Sequence, residues 1–104
     1  MRRRAAKKDK NHNPISQAMR DVGYLTHDTS AMGDGFGDEV WAGIDRQTGQ
    51  RRLWLIEYKT KDGKLTKDEQ EFHEKWAGFI HVVRTVDDGY RLVGILPHQD
   101  ASNA

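Results

Sequence analysis

Two charged side chains at the end of one apolar stretch are the residues in this chain best placed for chemistry. Glu57, Tyr58 and Lys59 follow the run LWLI, and side chains two apart on a strand point the same way. Glu57 and Lys59 therefore share one face of the predicted strand, and Tyr58 faces away from them. Charged groups are rarely placed on a buried strand unless they are paired or bind a metal.

Asp38 adds a second carboxylate, because it opens the preceding predicted strand directly after a glycine-rich loop. An antiparallel hairpin of residues 38–44 and 52–60 would bring Asp38 near Glu57 and Lys59. Converging carboxylates are the oxygen ligands that Mg²⁺ or Mn²⁺ prefers, with water completing the shell. Such a metal activates water and stabilises charge on a phosphate, and a nearby ammonium group can assist. The pattern predicts a metal site suited to phosphodiester hydrolysis.

The Glu-x-Lys pattern also has a purely structural interpretation. The motif is short and arises often by chance, and a satisfied Glu57–Lys59 ion pair at a strand end explains most isolated examples. The position of Asp38 in the neighbouring strand shifts the balance toward a metal site.

Apolar spacing and turn residues predict the elements that position these side chains. Pro14 suits a first helical turn, Gly23 ends that helix, and LWLI is apolar on both faces, as in a central strand covered on both sides. The predicted elements are a helix from Pro14 to Val22, strands at 24–26, 39–44 and 52–60, a helix at 66–77, a strand at 79–84 and a short helix after Thr85. This order predicts an α/β fold with a mixed central sheet and helices on both faces.

The composition narrows the class of protein. The 104 residues fit one domain, and 36% hydrophobic with 32% charged residues predicts a soluble body with a charge-rich surface. Cysteine is absent, so disulfides and thiolate zinc sites are excluded. No apolar run approaches the ~18 residues of a membrane span, and no N-terminal segment resembles a secretory signal. We expect an intracellular protein with no membrane partner.

Four stretches of the chain, in order, resemble the PD-(D/E)XK nuclease superfamily. GDGFGDEVWAG is similar to the family's glycine loop and aspartate strand, and LWLIEYKT is similar to its hydrophobic Glu-x-Lys strand. KLTKDEQEFHEKWAG resembles the helix after the site, and FIHVVRTVDD resembles the last core strand and the start of the next helix. The resemblance covers residues 8–95 and is closest to the small phage-type members of the VRR-NUC and Holliday-junction-resolvase-like branch. It implies a restriction-endonuclease-like core.

The resemblance implies a role for each matched residue. It makes Asp38 and Glu57 the ligands of Mg²⁺ or Mn²⁺, the main-chain carbonyl of Tyr58 a further ligand, and Lys59 the catalytic lysine. Glu69 matches the residue that supports the site from the following helix. The sequence from Thr66 to Glu69 is also a capping box, in which Glu69 would instead bond the backbone N–H of Thr66.

Two positions depart from the family pattern. Gly37 stands where the family has a proline before the aspartate. Pro14 stands near the place where relatives carry a glutamate on the first helix, and Gln17, one turn further on, is a poor replacement for it. The missing glutamate on the first helix is expected to reduce the metal affinity of the site.

The resulting expectation is a metal-dependent endonuclease that hydrolyses DNA phosphodiester bonds, with selectivity for branched or flapped DNA, acting as a homodimer. The alternative is a nuclease-fold module that binds DNA but cuts weakly or not at all, which the missing first-helix glutamate favours. A third class, a structural or inhibitory protein that binds its partner through a basic tail, leaves the charged strand end unexplained.

The charges of the chain are unevenly distributed. Residues 1–10 hold six of the 17 basic and one of the 16 acidic residues, a balance of +5, whereas the remaining 11 basic and 15 acidic residues give −4. We expect a basic disordered arm at 1–12, a nuclease domain at 13–97 and a flexible end at 98–104. Either the arm binds a polyanion or it is a solubilising tail. The residues expected to contact DNA are Arg2, Arg3, Arg4, Lys7, Lys8, Lys61 and Lys64.

Overall fold

The computed structural model describes residues 12–97, which form a four-stranded sheet with three α-helices. The elements are α1 (His12–Asp21), β1 (Leu25–Asp28), a 3₁₀ turn (Ser30–Met32), β2 (Glu39–Ile44), β3 (Arg51–Tyr58), α2 (Lys67–Lys75), β4 (Ile80–Val83) and α3 (Val86–Val93). The strand order is β1-β2-β3-β4, antiparallel except for the parallel pair β3–β4. This confirms the predicted α/β class and mixed sheet. Of the predicted arm at 1–12 only His12 is described, and the predicted end at 98–104 lies outside the described residues.

One face of the sheet carries the core. Alternate residues of β2 and β3 point to this face, where α1 and α3 cover them. The large side chains buried there are Ile15 and Met19 of α1, Trp41 of β2, Trp54, Ile56 and Tyr58 of β3, Val83 of β4 and Val93 of α3. Three of these eight side chains are aromatic, and aromatic side chains bury the largest apolar areas.

Gly89 has a low helix propensity but is required where it lies in α3. It is buried, and a Cβ atom at this position would lie 3.0 Å from the Met19 sulfur and 3.0 Å from the Trp41 ring. Helix α3 can therefore approach the core closely because residue 89 has no side chain. This packing outweighs the helix-propensity penalty of glycine, which is about 1 kcal/mol.

Among residues 12–97, the elements on the opposite face of the sheet cover it only at one end. Leu53 is 58% exposed there, whereas every residue of β3 from Trp54 to Tyr58 is buried. The expectation that the LWLI run is covered on both sides therefore holds for Trp54, Leu55 and Ile56 and is wrong for Leu53. The reason is that α2 is only nine residues long and packs its Phe72 against Phe36 of the glycine loop, 5.8 Å between ring centroids.

Several element ends differ from the sequence-based prediction. Strand β1 begins one residue later than predicted, because Tyr24 turns into the core and donates its hydroxyl proton to the carbonyl of Ile44. Phe79 precedes β4 and is 65% exposed, although the prediction placed it inside the strand. None of the helices in the described part of the chain is long and apolar enough to cross a membrane.

Candidate active site

The start of β2 and the end of β3 bring Asp38 and Glu57 together, as the hairpin argument predicts. The register pairs Glu39 with Ile56, so the residues on either side of this pair are neighbours. The backbone N–H of Asp38 donates to the carbonyl of Ile56 at 2.7 Å. The Asp38 carboxylate in turn accepts from the backbone N–H of Tyr58 through Oδ2, at 2.8 Å. The main chain of β3 thereby fixes the carboxylate of Asp38 beside Glu57.

Gly37 explains why the loop before Asp38 has no proline. Its φ of +113° lies in the region that favours glycine, and proline is locked near −65°. A Cβ atom at residue 37 would also lie 3.0 Å from the carbonyl oxygen of Ile56. The glycine loop can press against β3 here because residue 37 has no side chain.

Glu57 and Lys59 project from the face opposite the core, as their alternation predicts. Glu57 is 4% exposed, and Lys59 has a side chain that is 17% exposed. The Lys59 Nζ lies 3.8 Å from Oε2 of Glu57 and 2.8 Å from Oε1 of Glu69. Three acidic side chains, Asp38, Glu57 and Glu69, thus surround one ammonium group at the end of the sheet.

Burial and crowding of like charges alter the acidity of this group. Burial, followed by the neighbouring carboxylate of Asp38, raises the pKa of Glu57 to about 8, and Lys59 offsets only part of this. Burial opposes the charge of Lys59, but the hydrogen bond to Glu69 and the surrounding carboxylates raise its pKa overall. Burial likewise opposes ionisation of Glu69, yet its hydrogen bond from Lys59 and the backbone N–H of Thr66 lower its pKa overall. Burial and the crowding of carboxylates therefore favour the protonated form of Glu57.

Glu69 fulfils both of the roles that its sequence allows. Its Oε1 accepts from the backbone N–H of Thr66 at 2.8 Å, while the backbone N–H of Glu69 donates to Thr66 Oγ1 at 3.2 Å, which completes a capping box. The same Oε1 accepts from Lys59 Nζ. Glu69 therefore anchors the start of α2 and holds the lysine in place.

Glu69→Gln is expected to be mild, with less than about a tenfold loss of any activity of the site. The amide keeps an oxygen that can accept from both Thr66 and Lys59, since Gln also fills a capping box. Parallel measurements of melting temperature and cleavage rate for Glu69→Gln and Glu57→Gln test this. An equally severe loss of activity in both variants at unchanged melting temperature would instead make Glu69 a ligand.

The first helix does not supply the missing carboxylate. Pro14 is exposed, and the side-chain amide of Gln17 donates to Asp21 at 2.8 Å. Helix α1 packs on the core face of the sheet, opposite Glu57 and Lys59. Its Ser16 instead reaches Glu39, a buried carboxylate that the sequence analysis missed. Glu39 opens β2 on the same face as Trp41, and this acidic residue at a core-facing position is the signal that could have revealed it.

The donor set suits a hard divalent cation held by few protein ligands. Within residues 12–97 no group of three or more His, Cys, Asp or Glu side chains is arranged to hold a metal ion. Mg²⁺ usually needs only one or two carboxylates with water, and Asp38 and Glu57 are close enough to share a hydrogen bond. The predicted carbonyl ligand belongs to Tyr58, whose backbone N–H donates to Asp38 and which follows Glu57 directly in the chain.

The predicted DNA-contacting residues divide into two groups. Lys61 and Lys64 are exposed on the loop that follows Lys59. Arg84 anchors this loop, because its Nη1 donates to the carbonyl of Thr60 at 2.6 Å and to that of Gly63 at 2.8 Å. The predicted contacts in the arm, Arg2, Arg3, Arg4, Lys7 and Lys8, lie outside the described residues.

In comparisons with known proteins, no protein-family model, no curated protein and no solved structure matches the chain.

Proposed function

We propose that this protein is a metal-dependent endonuclease that hydrolyses DNA phosphodiester bonds. The observation that carries the proposal is the meeting of Asp38 with the buried Glu57 beside Lys59, where burial and then repulsion from Asp38 raise the pKa of Glu57 to about 8. A divalent cation would relieve this repulsion. The resemblance to PD-(D/E)XK nucleases and their restriction-endonuclease-like core supports the proposal, as does a mixed sheet with the site at its end and a helix directly after it.

Each side chain of the site has a distinct task in this proposal. Asp38 and Glu57, with the carbonyl of Tyr58, would hold Mg²⁺ or Mn²⁺, and Glu57 gives up its proton to do so. The bound metal supplies charge stabilisation at the phosphate and lowers the pKa of water. The ammonium group of Lys59 orients the attacking water or stabilises negative charge that develops on the phosphate. Glu69 keeps that ammonium group within reach of the reacting centre.

The decisive experiment measures cleavage of supercoiled plasmid and of branched and flapped DNA with Mg²⁺, Mn²⁺ or EDTA. We expect cleavage with either metal, none with EDTA, and faster cutting of the branched and flapped substrates. Asp38→Asn should reduce cleavage at least about a hundredfold, because even residues behind the ligands cost 10–100-fold when altered. The asparagine oxygen still accepts from the Tyr58 N–H, so the fold should be kept. Glu74→Gln, an exposed carboxylate on α2, is the matched control.

A second candidate function is DNA binding without cleavage. It is favoured by one observation, that α1 brings no carboxylate to the site. The same assay separates the two candidates when it is paired with a gel-shift measurement. Binding of branched DNA without cutting, in either metal and in wild-type protein, would establish the binding module in place of the nuclease.

We also propose that two copies of the chain associate through the uncovered sheet face. Leu25, Ala42 and Leu53 are neighbours in register on this face, and Leu25 and Leu53 are 74% and 58% exposed. A contiguous exposed apolar surface marks a protein contact, and symmetric dimers are the commonest oligomers. The segments 1–11 and 98–104 contain Met1 as their only large apolar residue, so a second copy is the better cover.

Sedimentation equilibrium at micromolar concentration tests the dimer. We expect wild-type protein to be dimeric and Leu53→Lys to be monomeric, because a charge at the centre of the contact would be buried without a partner. Gln50→Glu places a charge on the exposed β2–β3 turn, outside the apolar row, and should leave the dimer intact. A monomeric wild-type protein would refute the association.

Deletion of residues 2–10 is expected to weaken DNA binding and to flatten its salt dependence. Their six basic side chains would contact phosphates without reading bases, so each lost contact should reduce the log–log salt slope by about 0.9. Cleavage at low salt should persist, because no proposed catalytic group lies in this segment. Binding measured across a salt series decides the matter, and an unchanged slope would make the arm a solubility feature.

A further inference from the structure

Glu39 is a buried carboxylate that the proposed chemistry does not use. It is 6% exposed and accepts hydrogen bonds from Ser16 Oγ at 2.9 Å, from Trp41 Nε1 at 2.7 Å and from the hydroxyl of Tyr58. Within the described part of the chain no lysine or arginine forms an ion pair with it. Burial of a charge without a cation is costly, and apolar residues could fill the same space. A role in the function of the protein would explain why a carboxylate lies at this core position.

Tyr58 is the partner that connects Glu39 to the site. Its side chain points into the core, and its main chain lies between Glu57 and Lys59 on β3. Burial first, and then the hydrogen bond to Glu39, raise the pKa of the Tyr58 hydroxyl, so the hydroxyl remains a proton donor. The backbone N–H of the same residue donates to Asp38. Tyr58 is thus held at both ends by two consecutive residues of the neighbouring strand.

The other side of Glu39 is tied to the first helix and β1. Ser16 Oγ donates to Oε2 of Glu39, and Arg20 Nη1 donates to Ser16 Oγ at 2.6 Å and to Thr26 Oγ1 at 2.9 Å. Through Ser16 the carboxylate is fixed to α1, and through Tyr58 it is fixed to the site strand. The two connections use different oxygens of Glu39, so each can be removed separately.

We propose that Glu39 is a positioning residue for the Asp38–Glu57–Lys59 site, and that it acts through the hydroxyl of Tyr58. The hydrogen bond fixes the rotation of β3 at the residue between Glu57 and Lys59. It thereby sets the direction in which these two side chains leave the opposite face. The inference rests on the proposed function, because its main consequence is a loss of metal affinity and of turnover when the connection is cut.

Tyr58→Phe and Ser16→Ala form a matched pair of variants for the test. Each removes one hydrogen bond to the same buried carboxylate, and Ser16→Ala also removes the bond that Ser16 accepts from Arg20, so Ser16→Ala should lower the melting temperature at least as much as Tyr58→Phe. Only Tyr58→Phe should weaken Mn²⁺ binding and lower kcat, each by about 10–100-fold, with KM for DNA little changed. The main-chain carbonyl of residue 58 is present in both variants.

A measurement without metal makes the test independent of catalysis. The amide of residue 58 donates to Asp38, and the amide of Leu55, on the same strand, donates to Phe79 at 3.1 Å. Hydrogen exchange of the residue 58 amide should accelerate about tenfold relative to that of Leu55 in Tyr58→Phe, and stay unchanged in Ser16→Ala.

The possible results separate the two proposals. Equal exchange ratios and equal Mn²⁺ affinities in the two variants would overturn the positioning role and leave Glu39 as a structural residue. If wild-type protein neither binds Mn²⁺ nor cuts DNA, the proposed function fails. The exchange ratio then still decides whether Glu39 fixes the strand at residue 58.

Discussion

Glu57→Gln is expected to abolish metal binding and cleavage, yet to stabilise the metal-free protein above about pH 8. In this range the wild-type carboxylate is charged, buried and next to Asp38 and Glu69, which is why its pKa is raised. The amide has the same shape without the charge, so the repulsion disappears. Because one pKa unit corresponds to about 1.4 kcal/mol, the gain in the free energy of unfolding should be at least about 1 kcal/mol. The same change removes a metal ligand, and cleavage should fall at least about a hundredfold.

The measurement combines chemical denaturation in EDTA at pH 8.5, calorimetric titration with Mn²⁺ and a plasmid cleavage assay. Glu74→Gln on the exposed side of α2 controls for the loss of a negative charge alone, and should change neither stability nor binding by much. A Glu57→Gln protein that is less stable than wild type in EDTA would show that Glu57 serves the fold as a partner of Lys59. In that case the structural interpretation of the Glu-x-Lys motif would be correct.

Part of the candidate site could be predicted from the sequence. Asp38, Glu57 and Lys59 were predictable because strand alternation and hairpin pairing are local rules, and a charge on an apolar strand stands out. Glu69 was left with two roles, since both depend on the same sequence spacing, and the structure shows that one oxygen serves the capping box and the lysine together.

Other features depend on packing between distant segments, which local rules do not give. Strand alternation places the acidic Glu39 on the core face, but its hydrogen-bond donors Ser16 and Tyr58 lie 23 and 19 positions away. Gly89 reads as a helix breaker until Met19 and Trp41 are seen against it. The exposure of Leu53 depends on the length and direction of α2, which apolar periodicity does not give.

The metal-free protein is expected to lose stability as pH rises from about 7.5 to 8. Glu57 has a folded pKa of about 8 against an ordinary value of 4.5, so its stabilising contribution is complete below pH 4.5 and is lost as pH rises through 8. His73 and His81 have pKa values lowered mainly by burial, so they oppose this trend while they titrate in the unfolded chain around pH 6.5, and their effect fades by about pH 7.5. The slope between about pH 7.5 and 8 should therefore reflect Glu57 and stay below about 1.4 kcal/mol per pH unit, the value for one full proton.

Mn²⁺ should reverse this trend, because binding requires the deprotonated carboxylate and stabilises only the folded protein. Below pH 8 the affinity for Mn²⁺ should rise about tenfold per pH unit, and calorimetry at pH 7 in buffers of different ionisation enthalpy should detect the release of nearly one proton. Urea denaturation across pH 6.5–8.5, with EDTA or with saturating Mn²⁺, measures both effects in one series. Above about pH 7.5, Glu57→Gln should give a flat profile that Mn²⁺ does not change. Two results would contradict this prediction: a wild-type stability that rises with pH in EDTA above about pH 7.5, or Mn²⁺ binding without proton release. Either would mean that Glu57 is already ionised at neutral pH. The crowding of carboxylates at this site would then not govern its metal affinity.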